Sequence, residues 1–275
     1  MLTIPYRSLV FAATILVPLP VLHLDAQERQ DVDSIALAMS NPTLPAMNIT
    51  TFIDYTTFKG TLPGAGDQSS WKFLAQPPLP FPLSPQWSLI VRPAIPLLFN
   101  QPLPTPTGFE SAGVNLGNIG LDLLIAGGTP TGFLRGAGVV GTIPSATDER
   151  IRANWAVGPE LLVGYLQRWG VLLLLVTQQF DVSGTDKTSR LGGQYVATFS
   201  LRGGWQIVST GPFTYNWDTK NFTLPIGGGP FRTMMVGSTP VKLGLLAWYY
   251  VAQPDAFGPK WQLRFSVQPS FRRPW

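Results

Sequence analysis

Cysteine is absent from this 275-residue chain, which excludes a disulfide framework and thiol chemistry. Histidine is nearly absent: the one residue, His23, falls in an N-terminal leader, so the mature chain is expected to hold no imidazole. Charge is scarce too. Only 12% of residues are charged, against about a quarter in soluble domains. The net charge of +4 is small and dispersed, and nucleic acid is not expected as a partner. No segment beyond the leader approaches the run of about 18 apolar residues that a membrane-spanning helix requires, so an α-helical membrane protein is excluded.

What the chain does have is 28 Gly, 27 Pro and 9 Trp at an ordinary hydrophobic content of 45%. That combination leaves two soluble readings, an all-β sandwich and a low-complexity secreted chain, beside a membrane-embedded one. The first residues bear on the compartment. Arg7 precedes an apolar run from Leu9 to Leu22, and Leu24-Asp25-Ala26 follows as a cleavage site before Gln27, so residues 1–26 read as a signal peptide. Pro18 and Pro20 break the run and argue against an uncleaved anchor.

The most informative stretch is Lys260 to Phe271. Trp261, Leu263, Phe265, Val267 and Phe271 alternate with Gln262, Arg264, Ser266, Gln268 and Ser270, leaving Pro269 as the exception. Side chains on a strand alternate between faces, so one side is apolar and the other polar. The length is that of a tilted strand crossing a bilayer, about 10 residues. Twelve such segments are predicted: 50–60, 71–79, 86–97, 113–126, 131–143, 154–165, 168–180, 191–202, 205–216, 222–235, 241–252 and 260–272. Before them, residues 27–49 form a periplasmic segment whose Val32, Ile35, Ala36 and Met39 have helical spacing over 31–40, ended by Asn41-Pro42.

Connections 61–70, 98–112, 144–153, 181–190, 217–221 and 253–259 are mostly long and polar. Those between them (80–85, 127–130, 166–167, 203–204 and 236–240) are short and rich in Gly or Pro. This alternation is the asymmetry of outer-membrane barrels, with long extracellular loops and short periplasmic turns. Trp71, Trp87, Trp155, Trp169, Trp205, Trp217 and Trp261 all fall at strand ends, as interfacial anchors do, and Trp248 alone is clearly mid-strand. The predicted fold is therefore all-β, an antiparallel up-and-down transmembrane β-barrel of about 12 strands over residues 50–275, with a short N-terminal helix and both termini in the periplasm.

Arg or Lys on the lipid face at mid-bilayer costs about 2–4 kcal/mol. Lys72, Arg92, Asp122, Glu160, Arg202, Arg232, Lys242 and Arg264 are accordingly predicted to face the lumen. There they either fill a narrow barrel as ion pairs or line a conducting or binding path. Segment 168–180 does not assign itself, because Val171 to Val176 is apolar on both faces. Some apolar side chains must then point inward.

Two motifs are decoys. Gly136-Ala-Gly-Val-Val-Gly141 matches a dinucleotide fingerprint but lies inside a strand and opens no helix, so no cofactor is expected. Asn48-Ile-Thr and Asn221-Phe-Thr are glycosylation sequons without meaning in a bacterial envelope. Without His, or an evident Asp/Glu cluster, neither a catalytic nor a metal site is expected.

Several pieces resemble the bacterial outer-membrane transporter family of the phenol meta-pathway degradation type. They are Asn41-Pro42 after the helix, Gln76-Pro77 followed by Pro80-Phe81, Trp87-Ser-Leu-Ile-Val-Arg92-Pro-Ala-Ile-Pro96, Gly117-Asn-Ile-Gly120, Trp155-x-x-Gly158-Pro159, Asn216-Trp217, Gly227-Gly-Gly229 and Trp261-Gln-Leu-Arg264. The third is the most specific, similar to a W-x-L-I-x-R-x-x-x-P signature. Pro85, Pro93 and the terminal Arg272-Arg-Pro-Trp275 depart from the pattern. The resemblance implies an outer-membrane barrel that passes small, often aromatic, molecules. Barrel-insertion machinery, which reads a terminal aromatic such as Trp275 or Phe271, and outer-membrane lipid are the implied partners.

The sequence thus predicts an outer-membrane channel or transporter for small, aromatic or apolar molecules, not an enzyme. Its path is assigned to Arg92, Glu160, Arg202, Lys242 and Arg264, with loop 98–112 setting selectivity. The alternatives are a filled structural or adhesion barrel and, third, a lipid-modifying enzyme.

Overall fold

The computed structural model describes residues 26–41 and 47–271. The expected leader up to Asp25 and the terminal Trp275 lie outside the described residues. Helix α1 runs Ala26–Ala38. Twelve strands follow: β1 (Thr51–Lys59), β2 (Ser69–Ala75), β3 (Trp87–Phe99), β4 (Ile119–Gly128), β5 (Phe133–Ile143), β6 (Ala156–Gln167), β7 (Gly170–Asp181), β8 (Ser189–Ser200), β9 (Trp205–Asn216), β10 (Phe222–Val236), β11 (Thr239–Ala252) and β12 (Gly258–Phe271). Each pairs antiparallel with the next, and β12 pairs antiparallel with β1, closing a twelve-stranded barrel. Closure leaves no unpaired sheet edge, the condition for placing strands in lipid. Among the described residues no helix is long and apolar enough to cross a membrane.

The two-residue alternation decides which side chains meet lipid. On β6, Leu161 is 61% exposed while its neighbour Leu162 is 6% exposed, though the two are chemically identical. Val157, Val163 and Tyr165 share the outward face with Leu161, and Glu160 shares the inward face with Leu162. The ambiguous segment resolves the same way: Val171 and Leu175 turn inward, Leu172 and Leu174 outward. An outer surface of exposed Ile, Leu, Val and Phe has a stable environment only in lipid.

Prolines and loops account for the departures from the predicted spans. Segment 71–79 is interrupted, because Pro77 and Pro78 lack the N–H that a ladder needs. Strand β2 ends at Ala75, and Leu79–Pro82 pairs separately with the start of β3. The fourth strand begins at Ile119 rather than 113, since Val114–Leu116 pairs with the far end of β3 and Gly117-Asn118 breaks the run. Within the predicted loop 98–112, Pro102–Thr105 and Gly108–Ser111 form a small hairpin.

Helix α1 packs at the end of the barrel that carries the short turns, against β8, β9 and β10. It buries Val32 and Ala36, and with Met39 just past its end the spacing of four and three puts all three on one face. Its Asp33 carboxylate accepts a hydrogen bond of 2.6 Å from the Gly204 N–H in the β8–β9 turn. Gly204 has φ +74°, and a Cβ there would lie 2.4 Å from the Thr233 carbonyl oxygen and 2.6 Å from Val32 Cγ1. Only glycine fits between the turn and the helix.

Candidate functional site

The inner face carries polar groupings above an apolar wall, and four of them bear on the cavity. The first straddles the closing seam. In register, Arg264 of β12 lies opposite Asp54 of β1, which lies opposite Lys72 of β2. Asp54 is fully buried. Its carboxylate accepts from Arg264 Nε at 2.6 Å and from Arg264 Nη2 at 2.8 Å, and Lys72 Nζ is 3.2 Å away. The guanidinium is also held against Phe52 and Trp248, with ring centroids at 4.1 and 4.9 Å. A bidentate pair flanked by aromatic faces fixes the guanidinium plane.

The second grouping pairs Arg92 of β3 with Asp122 of β4, direct register partners joined through Arg92 Nε at 2.6 Å. The third is Glu160 alone. It is 1% exposed, and neither carboxylate oxygen has a hydrogen-bond partner among the described residues. The fourth ties α1 to the wall. Lys242 Nζ donates to Ser40 Oγ at 2.8 Å, and Gln206, fully buried, donates to the Ala36 carbonyl oxygen at 3.3 Å. Lys242 also lies 5.5 Å from the Phe231 ring centroid. That ring occupies the space left by Gly244, where a Cβ would be 2.1 Å from Phe231 Cε1.

The apolar wall runs over β3 to β7. Ile90, Leu124, Ala126, Leu134, Leu162 and Leu175 form one buried cluster, joined by Leu173. Wall, charges and the residues just after α1 line an open cavity of about 260 Å³. Leu162, Leu173 and Leu175 border it together with Arg92, Asp122, Glu160, Lys242 and Arg264. A solute inside would meet both apolar surface and fixed charges.

Of the residues predicted to face the lumen, Lys72, Arg92, Asp122, Glu160, Lys242 and Arg264 stand on the inner face. Two do not. Arg202 lies in the exposed β8–β9 turn, because β8 ends at Ser200 and Gly203 and Gly204, both with φ above +70°, reverse the chain. Arg232 points outward. Phe231 and Thr233 are the buried neighbours on β10, and the Arg232 guanidinium sits 5.2 Å from the Trp205 ring centroid. At the membrane rim a long side chain can bring its charge to the boundary while its stem lies on apolar surface. Arg135 does the same over Trp87, at 5.3 Å.

Asp54 is an inner-face charge that the sequence reading missed, as are Asp181 and Arg190, an ion pair at 2.8 Å nearer the long loops. The rule that placed Lys72 inward applies to Asp54 equally, since it alternates with the outward Ile53 and Tyr55. The signal is weak there, because Asp54 and Thr56-Thr57 dilute the apolar pattern of that segment.

The tryptophans divide between the two barrel rims. Trp71, Trp155, Trp217 and Trp261 lie at the long-loop end, and Trp87, Trp169 and Trp205 at the short-turn end. All but the half-buried Trp87 are exposed. Outward aromatic neighbours accompany several of them, with ring centroids 4.8 Å apart for Tyr55 and Trp71 and 4.9 Å for Tyr249 and Trp261. Trp248 is the exception in position and in direction: it is 1% exposed and points inward.

At the long-loop end the 102–111 hairpin is held from both sides. Phe109 contacts Phe257, which stacks on Phe58, each at 4.7 Å. Glu110 lies 3.2 Å from Arg150, which also grips Asp148 at 2.6 Å. The Arg150 hydrogen bonds hold the Asp148 carboxyl down at about 2.

A closed antiparallel barrel with an apolar exterior, aromatic rims and a charged interior is the fold of outer-membrane β-barrels. The structure is similar to that of an outer membrane channel from Pseudomonas putida F1, with a TM-score of 0.62 and 13% sequence identity over 82% of this chain and 96% of that one. At that identity the likeness is one of fold. No protein-family model and no curated protein matches the sequence.

Proposed function

We propose that this protein is an outer-membrane channel that passes small apolar or aromatic molecules into the periplasm, with its long loops outside and its short turns inside. The observation that carries the reading is the two-sided lumen, in which Leu162, Leu173 and Leu175 border the same cavity as Arg92, Glu160 and Arg264. A lumen for ions and sugars has no use for a leucine wall, and a purely structural core has no use for an unpaired carboxylate. The outward tryptophans act as the interfacial anchors, and Lys72, Arg92, Asp122, Glu160, Lys242 and Arg264 line the path. Passage requires no nucleophile, metal or cofactor, in keeping with a non-enzymatic role. The Pseudomonas neighbour's description as an outer membrane channel and the motif resemblance to transporters of the phenol meta-pathway degradation type both agree with this reading. Assembly would depend on outer-membrane lipid and on barrel-insertion machinery.

Initial uptake of a labelled alkylbenzene by cells expressing the protein tests the proposal. Uptake should exceed that of control cells carrying an empty vector. Equal uptake, with correctly folded protein present in the outer membrane, overturns the channel reading in favour of a filled structural barrel.

A further inference from the structure

Glu160 is the one inner-face acid left without a partner among the described residues. Asp54 is matched by Arg264 and Lys72, and Asp122 by Arg92. Glu160 has neither a cation nor a hydrogen-bond donor on either oxygen, although it is 1% exposed. Burying such a group without a hydrogen bond is costly and calls for an explanation, and a species that binds to it supplies one.

Its surroundings say what would bind. Glu160 is in register with Gly138 of β5 on one side and Thr177 of β7 on the other, and beyond Gly138 stands Leu124. One step along the inner face of β6 is Leu162, whose register partner is Leu175. Glu160, Leu124, Leu162 and Leu175 all border the 260 Å³ cavity. The carboxylate is therefore an unpaired acceptor at the margin of an apolar bed, with the mutually paired Arg92 and Asp122 bordering the same cavity.

We infer that Glu160 is the polar end of a binding site for apolar solutes that carry one neutral hydrogen-bond donor, such as a hydroxyl. The apolar body lies on Leu124, Leu162 and Leu175, and the donor closes on Glu160. In either protonation state the carboxyl retains an oxygen able to accept. A cationic donor is disfavoured, because bringing a charge from water onto a leucine surface costs more than one ion pair returns. The inference rests on the proposed passage of apolar solutes and specifies which of them the lumen selects.

Two isomers of the same formula provide the test. 1-Heptanol carries a hydroxyl donor, and hexyl methyl ether has the same atoms with no donor. Each is titrated calorimetrically into the full mature protein in lipid nanodiscs, with empty nanodiscs as the blank for partitioning. The expected result is binding of both, with heptanol about tenfold tighter, the scale of one hydrogen bond. In Glu160→Leu, whose folded state is checked by heat-modifiable gel mobility, the preference should fall to within about twofold while ether binding is kept. Equal binding of the two isomers by the wild-type protein overturns the inference and leaves the channel reading standing. A preference that survives Glu160→Leu also overturns it. Binding of neither isomer removes both the inference and the apolar-solute reading. The wild-type comparison decides the matter even if the variant does not fold.

Discussion

Asp54 shows how much one side chain carries in this barrel. It is fully buried, and the two cations around it, Arg264 and Lys72, come from strands on either side. Removing one partner of a buried pair leaves an uncompensated charge, which costs about 3–5 kcal/mol. Asp54→Asn is therefore expected to lower the unfolding free energy by about 3 kcal/mol, read as a shift of the urea midpoint in a detergent- or lipid-refolded sample. Lys72→Met should cost far less, since the lysine is 35% exposed and the Arg264 pair survives. An equal loss from the two variants would mean that the seam is not held by the bidentate pair. Arg92 is the contrasting case: it has a direct register partner in Asp122, so its pair is contained within one hairpin of neighbouring strands.

At the scale of elements, α1 is the part whose position matters most for the proposed passage. The helix has little intrinsic reason to hold its place beyond its small apolar face. Polar contacts from the helix and from Ser40 just after it fix it in the short-turn mouth: Asp33 with Gly204, Ala36 and Ser40 with Gln206, and Ser40 with Lys242. Deleting residues 27–40 from the mature protein should raise single-channel conductance several-fold in a planar bilayer, with the barrel still folded. Unchanged conductance would place the constriction elsewhere, most plainly at the hairpin over the long-loop end. Lys242→Met should act in the same direction more weakly, because it loosens the helix without removing it. The hairpin is the corresponding element at the opposite mouth, held by Phe109 on Phe257 and by Glu110 on Arg150.

For the whole molecule, the absence of cysteine turns orientation into a clean experiment. Thr185, in the β7–β8 loop, and Ser238, in the β10–β11 turn, are both exposed and lie at opposite ends of the barrel. Thr185→Cys should react with a membrane-impermeant maleimide in intact cells. Ser238→Cys should react only after the outer membrane is permeabilised. The reverse pattern would invert the proposed orientation, and with it the assignment of α1 to the periplasmic mouth.

The alternation of residues, the strand count and the placing of tryptophans at strand ends were all present in the sequence. Each depends on local periodicity: a strand reverses its face every residue wherever it lies. The same period was enough to put Lys72, Arg92, Asp122, Glu160, Lys242 and Arg264 on the polar side of their strands. It failed where the pattern itself is irregular. Arg202 sits just beyond the last paired residue of β8, and Arg232 lies in Pro230-Phe-Arg-Thr-Met-Met235, which does not alternate. Only the tertiary structure decided which charge meets which, because Asp54 and Arg264 are 210 residues apart and become neighbours only when β12 closes on β1. Closure fixes the register across the seam and the identity of the partners inside. That is how it also determines that Glu160, alike in sequence to any other strand acid, is the one left facing the cavity without a partner among the described residues.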